Sequence, residues 1–392
     1  MIDNAPLVAS LDPNRCCGCL ACVASCGKGA LTESTDSLGF FRPSWDDISC
    51  VGCGVCDRVC PTLSPRQQDA RSKTLWAQSR DNGAVRGSSS GGVFAALAGI
   101  VLDSSGTVYG AAFTDDFSHV EHTRVDSVYE LGRLMTSKYV QSRVSREVYR
   151  SVLSDLADGR TVLFSGTACQ VAAVRNVLGS RKLKGTLLAI DVMCHGVPSP
   201  RLWSDYVAYL STSMGAQLES VNFRSKTSGW TSFSLQCRAC NEKEIEIPHS
   251  QDWYMKAFLT NHSLRSSCFD CPSKQSCGSD LTLGDYWGFE GSGEGIIVDE
   301  GVSAVIARTP LGEAYLQKAT SKMHFGTARY DDVALKNPAL EHSVSPPAGR
   351  NGFLADVSSG TPIGTLVSRW NFERNLLDKV KGKIASLFKG RR

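Results

Sequence analysis

No stretch of the 392 residues stays apolar over the ~20 positions that a membrane-crossing helix needs, so a helical span is not expected. Charge of one sign is also missing. With 42 basic and 39 acidic side chains the net charge is +3, too close to neutral to argue for a nucleic-acid partner. The opening Met1-Ile2-Asp3-Asn4 has neither the basic stretch nor the apolar run of a secretory leader, and the expected location is the cytoplasm. No paired carboxylates and no Ser/His/Asp set stand out. No spaced G-x-G-x-x-G fingerprint is found either.

Cysteine is what the chain has in quantity. Sixteen cysteines without an export leader point to metal ligands in a reducing compartment and away from disulfides. Cys16, Cys19, Cys22 and Cys26 form a C-x2-C-x2-C-x3-C run. Cys50, Cys53, Cys56 and Cys60 repeat it, and Pro61 closes the second run. This is the ligand run of bacterial two-cluster ferredoxins, in which the fourth cysteine of each run serves the other cluster. The expected sets are therefore Cys16, Cys19, Cys22 and Cys60 on one [4Fe-4S] cluster, and Cys50, Cys53, Cys56 and Cys26 on a second. Two features depart from the pattern. Gly27 follows Cys26 where proline is usual, and Cys17 is an extra thiol beside Cys16. Neither removes a ligand.

The chain is too long for a ferredoxin alone and suits two or three domains. Residues 1–64 are expected to form the cluster domain and 65–74 a polar linker. Residues 75–345 read as a mixed α/β catalytic domain, and 346–392 as a tail. The fold class expected is α+β with a small N-terminal ferredoxin-like domain. Strands are predicted at 107–113, 162–164, 187–192 and 303–308, with a hairpin over 230–247.

Two Ser/Gly turns lead into helical patterns. Ser88-Ser89-Ser90-Gly91-Gly92 precedes a helix over 93–102, and Gly166-Thr167-Ala168-Cys169-Gln170 opens one running to about 178. Free amides and the positive dipole end at such helix starts suit a phosphate, and two of them could cradle a dinucleotide's pyrophosphate. A plain N-cap is the competing reading for each. Gly291-Ser292-Gly293-Glu294-Gly295 has glycines but no following helix and reads as a loop.

Seven further cysteines lie beyond the first domain. Cys268, Cys271 and Cys277 are grouped, and Cys194 stands alone. A third [4Fe-4S] cluster on these four is one reading. A zinc ribbon on Cys237, Cys240, Cys268 and Cys271 is another, and ordinary buried thiols a third. Cys169, at a helix start that favours its thiolate, is read as a wall of the cofactor pocket or a reactive thiol.

Six stretches in order resemble one family. They are the 88–94 Ser/Gly turn, Thr136-Ser137-Lys138-Tyr139-Val140-Gln141-Ser142, the 166–170 turn, and Asp191-Val192-Met193-Cys194-His195-Gly196-Val197-Pro198-Ser199-Pro200. Phe223-Arg224-Ser225-Lys226 follows, then Leu264 through Cys271 together with Ser279 through Gly288. Across roughly 75–310 the chain is similar to the beta subunit of coenzyme F-420 hydrogenase and dehydrogenase. The resemblance implies an FAD held in part by Ser88, Ser89, Ser90, Gly91 and Gly92, and by Gly166, Thr167, Cys169 and Gln170. It brings Ser137, Lys138 and Tyr139 to the cofactor, with Lys138 facing phosphate or the anionic reduced flavin. It also favours a cluster built from Cys194 and the Cys268 group. His195 and Asp285 are candidates to deliver protons near the flavin, against a purely structural hydrogen bond for each. Ala168 stands where the family usually carries proline.

The implied activity is that of an iron–sulfur flavoprotein oxidoreductase. Clusters move single electrons, a carrier such as F-420 or NAD(P)H takes a hydride, and flavin converts between them. The partner would be that carrier or a redox protein. The alternatives are a non-enzymatic electron-transfer subunit, or a reductase of this scaffold acting on another substrate. In the tail, Leu376, Leu377, Val380, Ile384, Leu387 and Phe388 fall at helical spacing among Lys379, Lys381, Lys383, Lys389, Arg391 and Arg392. Such a basic amphipathic helix could meet anionic lipid at a membrane surface, a partner, or its own domain.

Overall fold

A computed structural model describes residues 5–67, 69–71, 73–291 and 295–372. The basic tail pattern from Leu376 onward lies outside them, as do Ser292, Gly293 and Glu294 of the glycine loop.

The two cysteine runs fold alike. In the first, Gly18 and Leu20 take left-handed backbone (φ +70° and +60°); in the second, Gly52 and Gly54 do the same (+64° and +67°). These residues flank the second cysteine of each run and turn successive thiols toward one centre. Only glycine adopts this conformation without cost, so Leu20 is held there by burial among its neighbours. Each run then enters one short helix, Ala21–Ser25 or Val55–Val59. Between them strands β1 (Leu31–Thr35) and β2 (Phe41–Trp45) pair antiparallel. Val8, Leu20, Val23, Leu31 and Phe41 give this part a small core of its own.

The rest of the chain is built on a nine-stranded mixed sheet. Its strands are β3 (Lys73–Ser79), β4 (Thr107–Phe113), β5 (Val120–Val125), β6 (Ser142–Arg143), β7 (Thr161–Gly166) and β8 (Thr186–Val192), with three more from later in the chain. A three-stranded sheet intervenes: β9 (Leu218–Ser225), β10 (Ser234–Ala239) and β11 (Glu244–Pro248). The large sheet resumes with β12 (Leu281–Asp285), β13 (Ser303–Ala307) and β14 (Met323–Thr327). Its order is β14-β3-β13-β12-β8-β7-β4-β5-β6, with β12, β8, β7 and β4 mutually parallel.

Both faces of that parallel centre are buried, so its strands read as unbroken apolar runs and not as alternations. Residue parity divides them. Leu163, Leu188 and Ile190 pack beneath the helices Val93–Asp103 and Pro310–Lys318. Val162, Phe164, Leu187 and Ala189 pack beneath Arg146–Ala157 and Ala168–Leu178. The second layer continues into Ala21 and Val59, so the cysteine-run domain sits on this face of the sheet.

The fold class is the expected mixed one, and the predicted strands and hairpin are present. Two differences concern the connections. β3 already begins at Lys73, and Asp69, inside the expected linker, is anchored: its carboxylate accepts from the amides of Cys277 (3.0 Å) and Gly278 (2.8 Å). After residue 348, inside the expected tail, the chain forms the helices Arg350–Ser358 and Ile363–Arg369. Among the described residues no helix is long and apolar enough to cross a membrane.

Candidate redox site

Parallel neighbours β7 and β8 end at the same edge of the sheet, where open α/β sheets generally bind ligands. Cys169 follows β7 and Cys194 follows β8. The 3-10 turn Ser266–Asp270 brings Cys268 and then Cys271 against the same edge, and the amide of Val197 donates to Cys268 Sγ at 3.4 Å. Cys169, Cys194, Cys268 and Cys271 are thus electrostatic neighbours. Burial first, and then the surrounding thiols, push Cys268 well up and Cys271 to about 11. Burial likewise takes Cys194 to about 12. Lys274 supplies a cation, its Nζ donating to the carbonyl of Cys194 at 2.7 Å. Crowded buried thiols that resist separate ionisation, beside a lysine, are a donor set that a multi-iron cluster satisfies.

Of the expected group Cys194, Cys268, Cys271 and Cys277, the last lies apart from the other three. It is buried against Asp69, 3.5 Å from that carboxylate, and burial followed by Asp191 and Asp69 pushes its thiol well up. Two acidic neighbours disfavour a ligand thiolate there. Cys169 stands beside Cys194, Cys268 and Cys271 instead. The spacing Cys268-x2-Cys271-x5-Cys277 suggested a run, whereas strand adjacency, invisible in spacing, brings Cys169 to the other three. The zinc-ribbon alternative is not assembled either. Cys237 on β10 is fully buried in an aromatic core and Cys240 is exposed. Among the described residues no three His, Cys, Asp or Glu side chains close on a point as the ligands of one ion do.

The first run gathers as expected. Cys16, Cys19, Cys22 and Cys60 line one cavity of about 160 Å³ with Leu31, Arg42 and Trp45. Burial, then Cys16 and Cys60, push the Cys22 thiol far up. In the second run, burial and then Asp57 raise Cys56 to about 11, with Cys53 a lesser neighbour. Cys26 packs against the apolar group that contains Cys56, and Cys53 and its loop face solvent.

The two Ser/Gly turns differ. At 166–170 the helix start is closed by its own caps. Thr167 and Gln170 form a capping box, and Gln170 Nε2 reaches back to Ser142 (2.9 Å to Oγ). The box occupies the Thr167 amide and hydroxyl and the Gln170 amide, and it fixes the position of Cys169. The 88–92 turn is wedged between strands. A Cβ on Gly91 would stand 2.4 Å from the carbonyl of Ala77, and its amide donates to Ser303 Oγ. Arg224 donates to the Ser89 carbonyl at 2.9 Å, and Lys226 to those of Ser90 and Val85. The Ser137 amide donates to Ser89 Oγ at 2.6 Å. The first amides of Val93–Asp103 lie beyond these contacts, at a helix start flanked by two cations. The 88–92 turn therefore combines a helix start with two neighbouring cations, which suits a phosphate.

The candidate catalytic residues divide. Lys138 bends back onto its own loop, donating to the carbonyls of Arg133, Met135 and Thr136, and desolvation lowers its pKa to about 7. His195 is held by Asn261 Oδ1 at 2.7 Å, and burial lowers its pKa. Asp285 is committed on both oxygens: Arg224 binds it at 3.0 and 3.1 Å, and Trp230 Nε1 at 2.9 Å. The sequence did not single out Arg265 or Trp230. Arg265 is nearly sealed from solvent and ties the domains together, and Trp230 stacks on Trp287 with ring centroids 4.9 Å apart. Arg224 also reaches the Tyr139 hydroxyl at 3.2 Å.

Residues 159–333 match the family described as the C terminus of the coenzyme F420 hydrogenase/dehydrogenase beta subunit. Ferredoxin-3 of Rhodobacter capsulatus is 29% identical over 72 residues, covering 13% of this chain and 71% of that protein. A solved chain from the F420-reducing [NiFe] hydrogenase complex of Methanosarcina barkeri, prepared with xenon, overlaps 70% of this chain and 88% of its own length. Its identity is 17% and its TM-score 0.47. Residues 159–333 are thus similar to the C terminus of the coenzyme F420 hydrogenase/dehydrogenase beta subunit, in a chain that also resembles a ferredoxin.

Proposed function

We propose that the protein is an iron–sulfur oxidoreductase that passes electrons between ferredoxin-type clusters and a flavin, with a hydride carrier such as F-420 or NAD(P)H as the small-molecule partner. One observation carries the reading: the edge of the parallel sheet brings Cys169, Cys194, Cys268 and Cys271 together beside the cavity lined by Cys16, Cys19, Cys22 and Cys60. In this reading each of these groups of four holds a [4Fe-4S] cluster. A further cluster belongs to Cys26, Cys50, Cys53 and Cys56. The family match and the similarity to a ferredoxin support iron–sulfur electron transfer.

Bound clusters would supply one-electron storage, and bound FAD the exchange between single electrons and hydride. The chain's own residues do the rest. Burial of Cys19, Cys22 and Cys60 limits water at the first thiol site. Lys274 places a positive charge beside Cys194 and Cys271. Arg224 and Lys226 hold the 88–92 turn by its carbonyls, which fixes the helix start that would receive a flavin phosphate. The Arg224–Asp285 pair locks this guanidinium, so Asp285 serves as an anchor and not as a proton donor.

The self-capped 166–170 turn favours a second reading, an electron-transfer subunit without flavin, because it withdraws one of two phosphate sites. Iron, sulfide and flavin measured on anaerobically purified protein decide between them. About twelve iron and one flavin per chain support the flavoprotein, as three cubanes and one cofactor require. The same iron without flavin supports the relay. The ligand set is tested by substitution: C169S should lower iron, and C277S should leave it unchanged.

A further inference from the structure

Resting on that cluster reading, we propose that the Cys16/Cys19/Cys22/Cys60 site, and not the Cys26/Cys50/Cys53/Cys56 site, exchanges electrons with the C-terminal thiol site, through a contact made by Cys17 and Arg265.

Cys17 has no place among the ligands of a two-cluster ferredoxin. Its side chain lines the same cavity as Cys16, Cys19 and Cys22, and it is an electrostatic neighbour of Cys169. It therefore lies next to one proposed ligand of each site. The backbone around it is clamped from the C-terminal domain. Arg265 Nε donates to the Cys16 carbonyl at 2.6 Å, Gln141 Nε2 to that of Cys17 at 3.1 Å, and the Tyr149 hydroxyl to that of Cys19 at 2.8 Å. Arg265 Nη1 is joined to Gln141 Oε1 at 3.1 Å, and Nη2 donates to Phe41. The nesting is close enough that a Cβ on Gly18 would lie 2.8 Å from both Arg265 and Gln141.

Arg265 also belongs to the C-terminal site. Its carbonyl accepts from the amide of Cys268 at 3.0 Å. A continuous hydrogen-bonded path therefore runs from Cys16 through one arginine to Cys268, alongside the thiol path Cys19–Cys17–Cys169. Among the described residues nothing comparable leaves the second run. Cys53 is exposed, its carbonyl is met by Arg58 of the same segment, and Val51 and Ile48 beside it are 61% and 91% exposed. The second site is then the outer end of the path and the first its inner end. In the step itself one electron leaves the first site, which is oxidised, and reduces the C-terminal site. No bond is made or broken and no proton is needed.

The test uses anaerobic, cluster-loaded full-length protein mixed with dithionite, freeze-quenched and read by electron paramagnetic resonance. In the unaltered protein the signal of the C-terminal site should follow those of the N-terminal sites closely. In C17S, with iron and sulfide unchanged, it should lose that synchrony and lag, while the N-terminal signals rise as before. R265K keeps the charge but not the fork, and should lag as well. Synchronous signals in a fully loaded C17S protein would overturn the proposal, as would an unaltered C-terminal signal in C60S, which removes a ligand of the first site. Undiminished iron in C268S would instead overturn the cluster reading beneath it.

Discussion

Arg265 reaches out of the C-terminal domain to the carbonyl of Cys16, 249 positions earlier in the chain, at 2.6 Å. The guanidinium is only 2% exposed and lies 5.2 Å from the centre of the Phe40 ring. Three acceptors, from Cys16, Phe41 and Gln141, share it. Truncation in R265M leaves all three facing one another without a donor. A loss of about 3 kcal/mol is expected, because buried acceptors stripped of a charged partner bear their full desolvation cost. The loss should be localised. Protease should cut near residues 65–71 faster than in the unaltered protein, while the core of the nine-stranded sheet keeps its amide protection. Equal cutting rates would show that Arg265 does not hold the domains together.

Asp69 predicts a different phenotype from the ligands around it. Its carboxylate accepts two amides and stands 3.5 Å from the Cys277 thiol. D69N weakens charge-assisted bonds and should cost about 1–2 kcal/mol in denaturant unfolding. In the proposed ligand set Cys277 holds this acid and is not a ligand, so iron content should not change. Iron loss in D69N would return Cys277 to the ligand set.

Much of the fold was legible in the chain, and so was the gathering of four N-terminal cysteines. Spacing alone pointed to Cys16, Cys19, Cys22 and Cys60, and these line one cavity. The strands at 162–164 and 187–192 were legible because parallel strands covered on both faces are continuously apolar. What spacing could not convey was which loop ends meet. Cys277 is six residues from Cys271 and still turns away, whereas Cys169 arrives from the end of the neighbouring strand. The buried cations were hidden for the same reason. Arg224 lies in a motif that was recognised, but its pairing with Asp285, 61 positions away, is a property of β9 packing against the end of β12.

That pair supports a third prediction. Arg224 is 2% exposed and is braced by Phe233, 4.1 Å from its ring centre, and by Trp287. D285N removes the countercharge and leaves a buried guanidinium with one neutral acceptor in its place. Destabilisation of about 3 kcal/mol is expected. A double substitution, R224M with D285N, should recover part of it, because the unpaired buried charge is then gone. Additive losses in the double-mutant cycle would mean that the two side chains are not energetically coupled.

The last prediction concerns acid. His122 is 3% exposed, stacks on Phe164 with centroids 5.1 Å apart, and places Nε2 3.0 Å from the Ser165 carbonyl. Desolvation lowers its pKa from 6.5 to about 4. The folded protein therefore binds this proton more weakly than the unfolded chain. Above pH 6.5 the imidazole is neutral in both states and stability is unaffected. As pH falls from 6.5 toward 4 the unfolded chain gains the proton first, and stability is lost. At pH 5.5 the loss from this one group is about 1.4 kcal/mol. H122Q keeps a donor for Ser165 but cannot titrate. It should be less stable than the unaltered protein at pH 7.5, because the amide does not reproduce the ring stack. The deficit should shrink by about 1.4 kcal/mol at pH 5.5. Urea unfolding of both proteins, matched in iron content at each pH, measures this directly. A deficit that stays constant with pH would mean that His122 titrates in the folded protein as it does in the unfolded chain, and one that grows toward pH 5.5 would mean that the folded protein holds it protonated.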